Sequence, residues 1–561
     1  MYYKTIMATS QNHRTYLFFT IGTLVALSIL AFRIAFIIIE GGKTKKYQDP
    51  VVSQSVIRGT IYDRNGKILA ISTPYYNLYF HLQNIKDMNK ACMLVAPFAD
   101  MTMEEVKQQI SHYTTYALVK KHLDPAKVGT LEKAIKDAKM QNAISVEKIM
   151  GRSYPALFHA AQTIGFVNPE NKGLEGIEYS FEKELDPKPQ VGSKEVIYGD
   201  DLTLTLDIDI QYLLDVQLQA IADKDRPDYA VGIVMDCKTG DILAMSSYPW
   251  YDNNSIGSST PEERLNHCVN YLFEPGSVFK VFSLCADLQA AQADFSTPFV
   301  CDGSFTFEGI TINCHEKHGI VTPREMIAKS CNGAIAYWSL QTDSDKFYQT
   351  LNAFGFNRSY DIGLPSKTRA KLNDPSTWSK RSKPTISFGQ ELSVTALHLA
   401  TAATVFANEG MLLMPNLVLQ RSKGSAIGKT NDILYERKVK EQGKVVDSDI
   451  AKQLLSYMHS ATQEGGTAVL CDVPGVSVSA KTGTAQILNP ETNSYTDGTV
   501  LASTLALIPS DNPQYIIYIA AGNPKGDTIW GANIASPAIG KVIEGLISQG
   551  KLISDKSHTT P

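Results

Sequence analysis

Residues 15–39 form a run of 25 residues that are apolar or hydroxyl-bearing except for one charge, Arg33. At about 1.5 Å per residue, a helix of that length crosses a bilayer core of about 30 Å. No small-residue cleavage site follows it, so the run reads as an uncleaved transmembrane helix behind a cytoplasmic tail, residues 1–14. Arg33 can snorkel to the near interface. Lys4 and Arg14 precede the span and Lys43, Lys45 and Lys46 come after it, so flanking charge does not set the orientation.

Beyond residue 40 the chain changes character. It has 561 residues in all, enough for more than one domain, and 43% hydrophobic with 20% charged residues describes a folded globular protein. A net charge of −4 argues against nucleic acid as a partner. The eight cysteines contain no Cys-x-x-Cys pair, and the eleven histidines show no clustered ligand spacing, so no metal or cofactor is expected. Cys301 and Cys314 bracket the hairpin-like stretch DGSFTFEGITIN. In an oxidising compartment that hairpin permits a disulfide, and two free thiols remain the alternative.

Residues 44–199 read as a mixed region. It opens on strand-like runs around RGTIYDRNGKILAIS, with Arg64-Asn65-Gly66 as the turn, and continues with helical, charge-rich stretches. Residues 185–194 have the proline and glycine content of a connector. A second region, 200–550, starts at the alternating run DLTLTLD and an amphipathic helix over 210–223. Two β-rich runs joined by a turn at Lys238-Thr239-Gly240-Asp241 come next, and helices dominate from 276 to 409. Strands return at GVSVSAKTGTAQ and QYIIYIAAG, a helix from Pro537 to about Gly550 closes the domain, and 551–561 is a tail. Strands early and late around a helical block predict one mixed sheet.

Three short elements stand in order: Ser277-x-x-Lys280, Ser330-x-Asn332 and Lys481-Thr482-Gly483. Ser-x-x-Lys also begins at Ser145, Ser180 and Ser548, and Lys-Thr-Gly at Lys238, so context must choose. Pro275 and Gly276 place Ser277 at a helix start, with Lys280 on the same face at i, i+3. A serine becomes a useful nucleophile when a base takes its proton, and an amine can do so only unprotonated. Burial and a second cation, which Lys481 would supply, both lower a lysine pKa. Amide N–H groups at a helix start suit an oxyanion. Ser330 and Asn332, at a helix end or beside it, suit proton relay and holding of a peptide group. Gly483 leaves room for substrate along its strand, and the Thr482 and Thr484 hydroxyls suit a carboxylate.

These motifs, 53 and 151 residues apart, are the signature of penicillin-binding proteins and class A β-lactamases. The chain resembles the class B penicillin-binding proteins, division or sporulation type. RGTIYDRNG from Arg58 and GLEGIEYSFEKEL from Gly173 resemble pedestal motifs, and FEPGSVFK, TISFGQELSVTALHLATAA and VSAKTGTAQ resemble catalytic ones. The resemblance implies an α+β multidomain fold: an N-terminal transmembrane helix, an elongated pedestal (dimerisation-type) domain, and a serine β-lactamase-like transpeptidase domain with a central antiparallel sheet flanked by helices. It implies a membrane-anchored D,D-transpeptidase acting outside the cytoplasmic membrane on peptidoglycan stem peptides. Ser277 would be the nucleophile and Lys280 the base, with Ser330 and Lys481 assisting proton transfer. Asn332, Thr482, Gly483 and Thr484 would bind substrate, and the Ser277 and Thr484 amides would form the oxyanion hole. β-Lactams would trap Ser277, and a polytopic glycan polymerase with division or elongation proteins would be partners. Cys331 stands where that signature has aspartate. A membrane-bound β-lactamase, a β-lactam sensor and a mainly structural division subunit are the competing readings.

Overall fold

The computed structural model describes residues 27–28, 56–188, 196–426, 428, 432–487, 495 and 498–553. The apolar run 15–39 therefore lies outside the described residues, except for Leu27 and Ser28, which are helical. Most of the expected connector lies outside them too. No described helix is long and apolar enough to cross a membrane.

In the N-terminal region the long strand Ile68–His81 pairs antiparallel with Tyr116–Leu123 and with Ile144–Ser153. The helices Met88–Ala99, Met103–Ile110 and Pro125–Asp137 cover it, burying Leu78, Phe80, Val95, Val106, Leu131 and Ile135 in one cluster. Each helix start is marked in the sequence. Asp87 and Asp124 accept backbone N–H groups, Pro125 follows the second, and Thr102 with Glu105 closes a capping box. The Arg64-Asn65-Gly66 turn joins Ile61–Tyr62 to Ile68–His81 as expected, with Gly66 at φ +83°.

The two sequence regions are not separate in space. Strand Ile61–Tyr62 pairs parallel with Asp201–Leu204, which pairs antiparallel with Val418–Ser422, all in one seven-stranded sheet. The pedestal motifs meet in the same place. Arg58 donates through Nε to Glu178 Oε2 at 2.6 Å and through a terminal nitrogen to Glu182 at 2.7 Å. Arg152 Nε takes the other Glu178 oxygen at 2.7 Å. The Arg58 and Glu178 side chains are fully buried. RGTIYDRNG and GLEGIEYSFEKEL are thus two halves of one buried ion-pair network, whose charges are satisfied only together.

The catalytic half is built on five strands: β1 (Tyr229–Asp236), β2 (Ile242–Tyr248), β3 (Ser479–Gln486), β4 (Val500–Ile508) and β5 (Tyr515–Gly522). Their order is β3-β4-β5-β1-β2, and every neighbouring pair is antiparallel. The mixed sheet expected from strand order is thus corrected to the antiparallel one that the resemblance implied. Helices α1 (Ile208–Asp225) and α5 (Gly531–Ser548) cover one face, burying Leu214, Leu218, Ile539 and Val542 against Ala230, Val234 and Ile517. Helix α2 (Lys280–Ala290), α3 (Pro323–Lys329), α4 (Asn332–Gln341) and the helix Ala396–Ala407 lie toward the other, with Phe282, Trp338 and Leu399 in one core with Val231, Ile233 and Met235. With both faces covered, β1, β4 and β5 are buried almost throughout rather than at alternate residues. Helix α5 begins at Gly531, six residues before the expected Pro537, which sits inside it.

Candidate active site

The turn that carries Ser277 is fixed from two sides. Ser277 lies in a 3-10 turn, Gly276–Phe279, that runs directly into α2. Gly276 has φ +57°, and a Cβ there would lie 2.6 Å from the Ala485 Cβ on β3. From the other side, Phe273 and Val394 exchange backbone hydrogen bonds of 2.9 Å, and the Gly276 N–H donates to Gly389 O at 3.0 Å. The Glu391 N–H donates to Glu274 Oε1 at 2.9 Å. The segment TISFGQELSV thus serves as the clamp on FEPGS.

Behind Ser277 the two lysines meet. Lys280 Nζ donates to Ser330 O at 2.6 Å and to Ser330 Oγ at 3.1 Å. Lys481 Nζ donates to the same Ser330 Oγ at 2.9 Å and to Thr482 O at 2.8 Å. Both lysines are fully buried. Burial brings the Lys280 pKa down to about 8. Burial first, and the Lys280 charge second, hold Lys481 well below the usual lysine range. Burial, one of the two causes expected, lowers Lys280, and the charge effect between the two lysines falls on Lys481. Among the described residues Lys280 bonds to Ser330 and not to Ser277, so the i, i+3 spacing brings the amine near the turn without pairing it there.

Ser330 caps the end of α3 in a left-handed conformation, φ +59°, and Asn332 opens α4, so both helix-end placements hold. Asn332 Nδ2 donates to Asn313 O at 2.9 Å. Thr482 Oγ1 donates to Thr467 Oγ1 at 2.9 Å, and Thr484 Oγ1 accepts the Gly531 N–H at 3.2 Å. Gly483 also has a packing role: its Cβ would stand 2.9 Å from Val278 Cγ2 and 2.8 Å from Ser503 Oγ, so the glycine lets β3 close on the turn that carries Ser277. Ser277, Ser330, Asn332, Thr482, Gly483 and Thr484 line one cleft of about 450 Å³. His315, Thr467 and Trp530 line it too. These three are not legible in the sequence because they come from segments with no motif of their own. Ser145, Ser180, Ser548 and Lys238 lie outside the cleft.

Of the two alternatives left open for Cys301 and Cys314, free thiols are found, with their sulfurs 3.7 Å apart. The histidine spacing gave no cluster, yet His318 comes together with Cys301, Cys314 and Cys331.

A serine at a helix start, two buried lysines on one hydroxyl and a glycine-closed strand together make an acyl-transfer site. The sequence matches the penicillin binding protein transpeptidase domain over residues 230–544, more than half of the chain, and the penicillin-binding protein dimerisation domain over 53–199. The chain belongs to the class B penicillin-binding proteins. It is a peptidoglycan D,D-transpeptidase of that family. It is 27% identical to a probable peptidoglycan D,D-transpeptidase, PenA, of Neisseria meningitidis, covering 88% of this chain and 84% of that protein. To stage V sporulation protein D of Bacillus subtilis it is 26% identical, over 87% and 77% of the two chains. In fold it is similar to penicillin binding protein 3 of Mycobacterium tuberculosis, solved with aztreonam, with a TM-score of 0.70, 22% identity, and coverage of 89% and 98%.

Proposed function

We propose that this class B enzyme cross-links stem peptides through an ester on Ser277. Ser277 Oγ attacks the carbonyl carbon of the penultimate D-Ala, and its proton passes to neutral Lys280. The peptide C–N bond breaks, and the leaving D-Ala amine takes a proton relayed by Ser330 and Lys481. The amine of a second stem peptide then attacks the ester, loses a proton to the same relay, and releases Ser277 with its hydroxyl restored. Amides of Ser277 and Thr484 receive the oxyanion, Asn332 holds the donor peptide, and Thr482 and Thr484 contact its carboxylate. Gly483 admits β3 to the turn. The observation that carries this reading is the Lys280–Ser330–Lys481 chain beside Ser277, which supplies both a base and a proton return.

The reading extends to the cell. Residues 15–39 anchor the protein as a single span, residues 1–14 stay in the cytoplasm, and the catalytic part works outside the membrane. A polytopic glycan polymerase and division or elongation proteins are its partners. β-Lactams acylate Ser277 as analogues of D-Ala-D-Ala, as the aztreonam complex of the fold relative suggests.

Fluorescent penicillin on the purified full chain tests this. Label that persists for hours on wild type and is absent from Ser277→Ala supports the transpeptidase. Label that vanishes in seconds instead supports a β-lactamase, and no label on either protein removes Ser277 as the nucleophile.

A further inference from the structure

Four donors converge beside the cleft, one from each of four elements. Cys301 ends the strand Phe299–Cys301, Cys314 comes just after Ile310–Asn313, His318 precedes Gly319–Val321, and Cys331 caps α4. Their ligand atoms all lie within 4.8 Å of one another. Cys301 Sγ is 3.7 Å from Cys314 Sγ and 3.4 Å from His318 Nδ1, and Cys314 Sγ is 3.7 Å from Cys331 Sγ.

Tetrahedral zinc binds sulfur at about 2.3 Å and nitrogen at about 2.0–2.1 Å, which sets two sulfurs about 3.8 Å apart and sulfur from nitrogen about 3.5 Å. The observed separations fit that geometry. A disulfide would need about 2.05 Å and would use two of the four donors. We propose that Cys301, Cys314, His318 and Cys331 bind one zinc ion in a closed, structural site.

The surroundings suit bound thiolates. The Gly333 N–H points to Cys314 Sγ at 3.3 Å and the Ala334 N–H to Cys331 Sγ at 3.5 Å, both from the first turn of α4. Amide donors and a helix start each favour negative sulfur. His318 is 6% exposed, and its Nε2 has no hydrogen-bond partner. The Glu316 carboxylate stands 4.0 Å from that nitrogen, beyond hydrogen-bond distance.

Residues 299–321 also need a staple. Only Cys301, Ile312, His318 and Val321 are buried there, while Val300 and Ile320 are 70% and 66% exposed. So small a core does not hold an excursion by itself. Zinc would tie this excursion to Cys331, which sits between Ser330, the acceptor shared by both lysines, and Asn332. The ion is therefore a positioning element for the cleft, with no part in the bond changes.

The test uses the full chain in detergent, purified with reductant and without chelator. Metal is measured by mass spectrometry, and thiols are counted after denaturation in chelator without reductant. The expected result is about one zinc per chain, all eight cysteines reactive, and a cobalt-exchanged protein with thiolate charge-transfer and tetrahedral d–d bands. Cys301→Ser/Cys314→Ser should retain less than about a tenth of the zinc, with Cys92→Ser unchanged. Six reactive thiols, reporting a disulfide, would overturn the proposal. So would zinc that persists in the double variant, or wild type that takes up none from micromolar free zinc. Should the double variant not fold, the cobalt spectrum of wild type decides, since a site without thiolates lacks the charge-transfer band.

Discussion

Lys280 and Lys481 donate to one oxygen, Ser330 Oγ, from 3.1 and 2.9 Å, with both side chains out of water. Two ammonium groups so placed repel each other and lose their hydration, so the pair favours fewer than two protons. One amine is then neutral while the other can still donate. In the proposed reaction the pair would supply a base and an acid, with Ser330 between them.

Acylation by a penicillin should therefore follow the deprotonation of Lys280. Below about pH 8 the rate should rise about tenfold per pH unit, and above that it should level, because burial has lowered this lysine to about 8. Lys280→Arg keeps the charge but cannot yield a neutral base, and should slow acylation by about 10²–10⁴-fold. Stopped-flow rates across pH settle the matter. A flat profile in wild type would remove Lys280 as the base.

Gly483→Ala should damage the site more than the fold. The new methyl group meets Ser503 Oγ on β4 and Val278 Cγ2 on the turn that carries Ser277, so the expected adjustment is a shift of that turn. Overpacking of this kind costs about 1–3 kcal/mol. Acylation should fall about 10–100-fold, with the melting temperature lower by only a few degrees. Unchanged acylation with a clear drop in melting temperature would show that β3 moves instead.

Glu178→Ala should be the most destabilising single change in the pedestal. It leaves Arg58 and Arg152 buried with their shared carboxylate gone, which costs about 3–5 kcal/mol. Glu178→Gln retains acceptors and should cost less. Thermal melting of the two variants should rank them in that order, and equal melting temperatures would contradict the shared-carboxylate account.

The candidate site was legible because each motif is contiguous and carries its own local signal: a Pro-Gly helix start, a helix end, a glycine in a strand. Elements specified by tertiary packing were not. Val500–Ile508 is a central strand, but TVLASTLALI is buried on both faces and shows no alternation, so nothing in it marks a strand. Pro537 looked like a first-turn proline, while the helix starts at Gly531, where a Cβ would meet Ser503 O at 2.3 Å and Gly483 O at 2.4 Å. The cysteine and histidine cluster escaped because only Cys314 and His318 are close in sequence, while Cys301 and Cys331 join them through the fold. How the two shifts divide was not legible either: burial lowers Lys280, and the charge effect falls on Lys481.

Asp287 offers a reading of that core with no catalytic confusion. It sits two turns along α2 from Lys280, fully buried, with Oδ1 accepting from Thr342 Oγ1 at 2.7 Å and Oδ2 without a partner. Burial pushes its pKa up to about 8, against about 3.9 in an unfolded chain. The folded protein thus keeps a proton that the unfolded chain releases. The stability tied to that proton is full below about pH 3.9 and is lost as pH rises to about 8. Asp287→Asn holds a neutral group there at every pH. Its melting temperature should match wild type near about pH 4 and exceed it by several degrees at about pH 8. Melting curves across that range check the sign, and a difference that does not grow with pH would mean that Asp287 is ionised inside the fold.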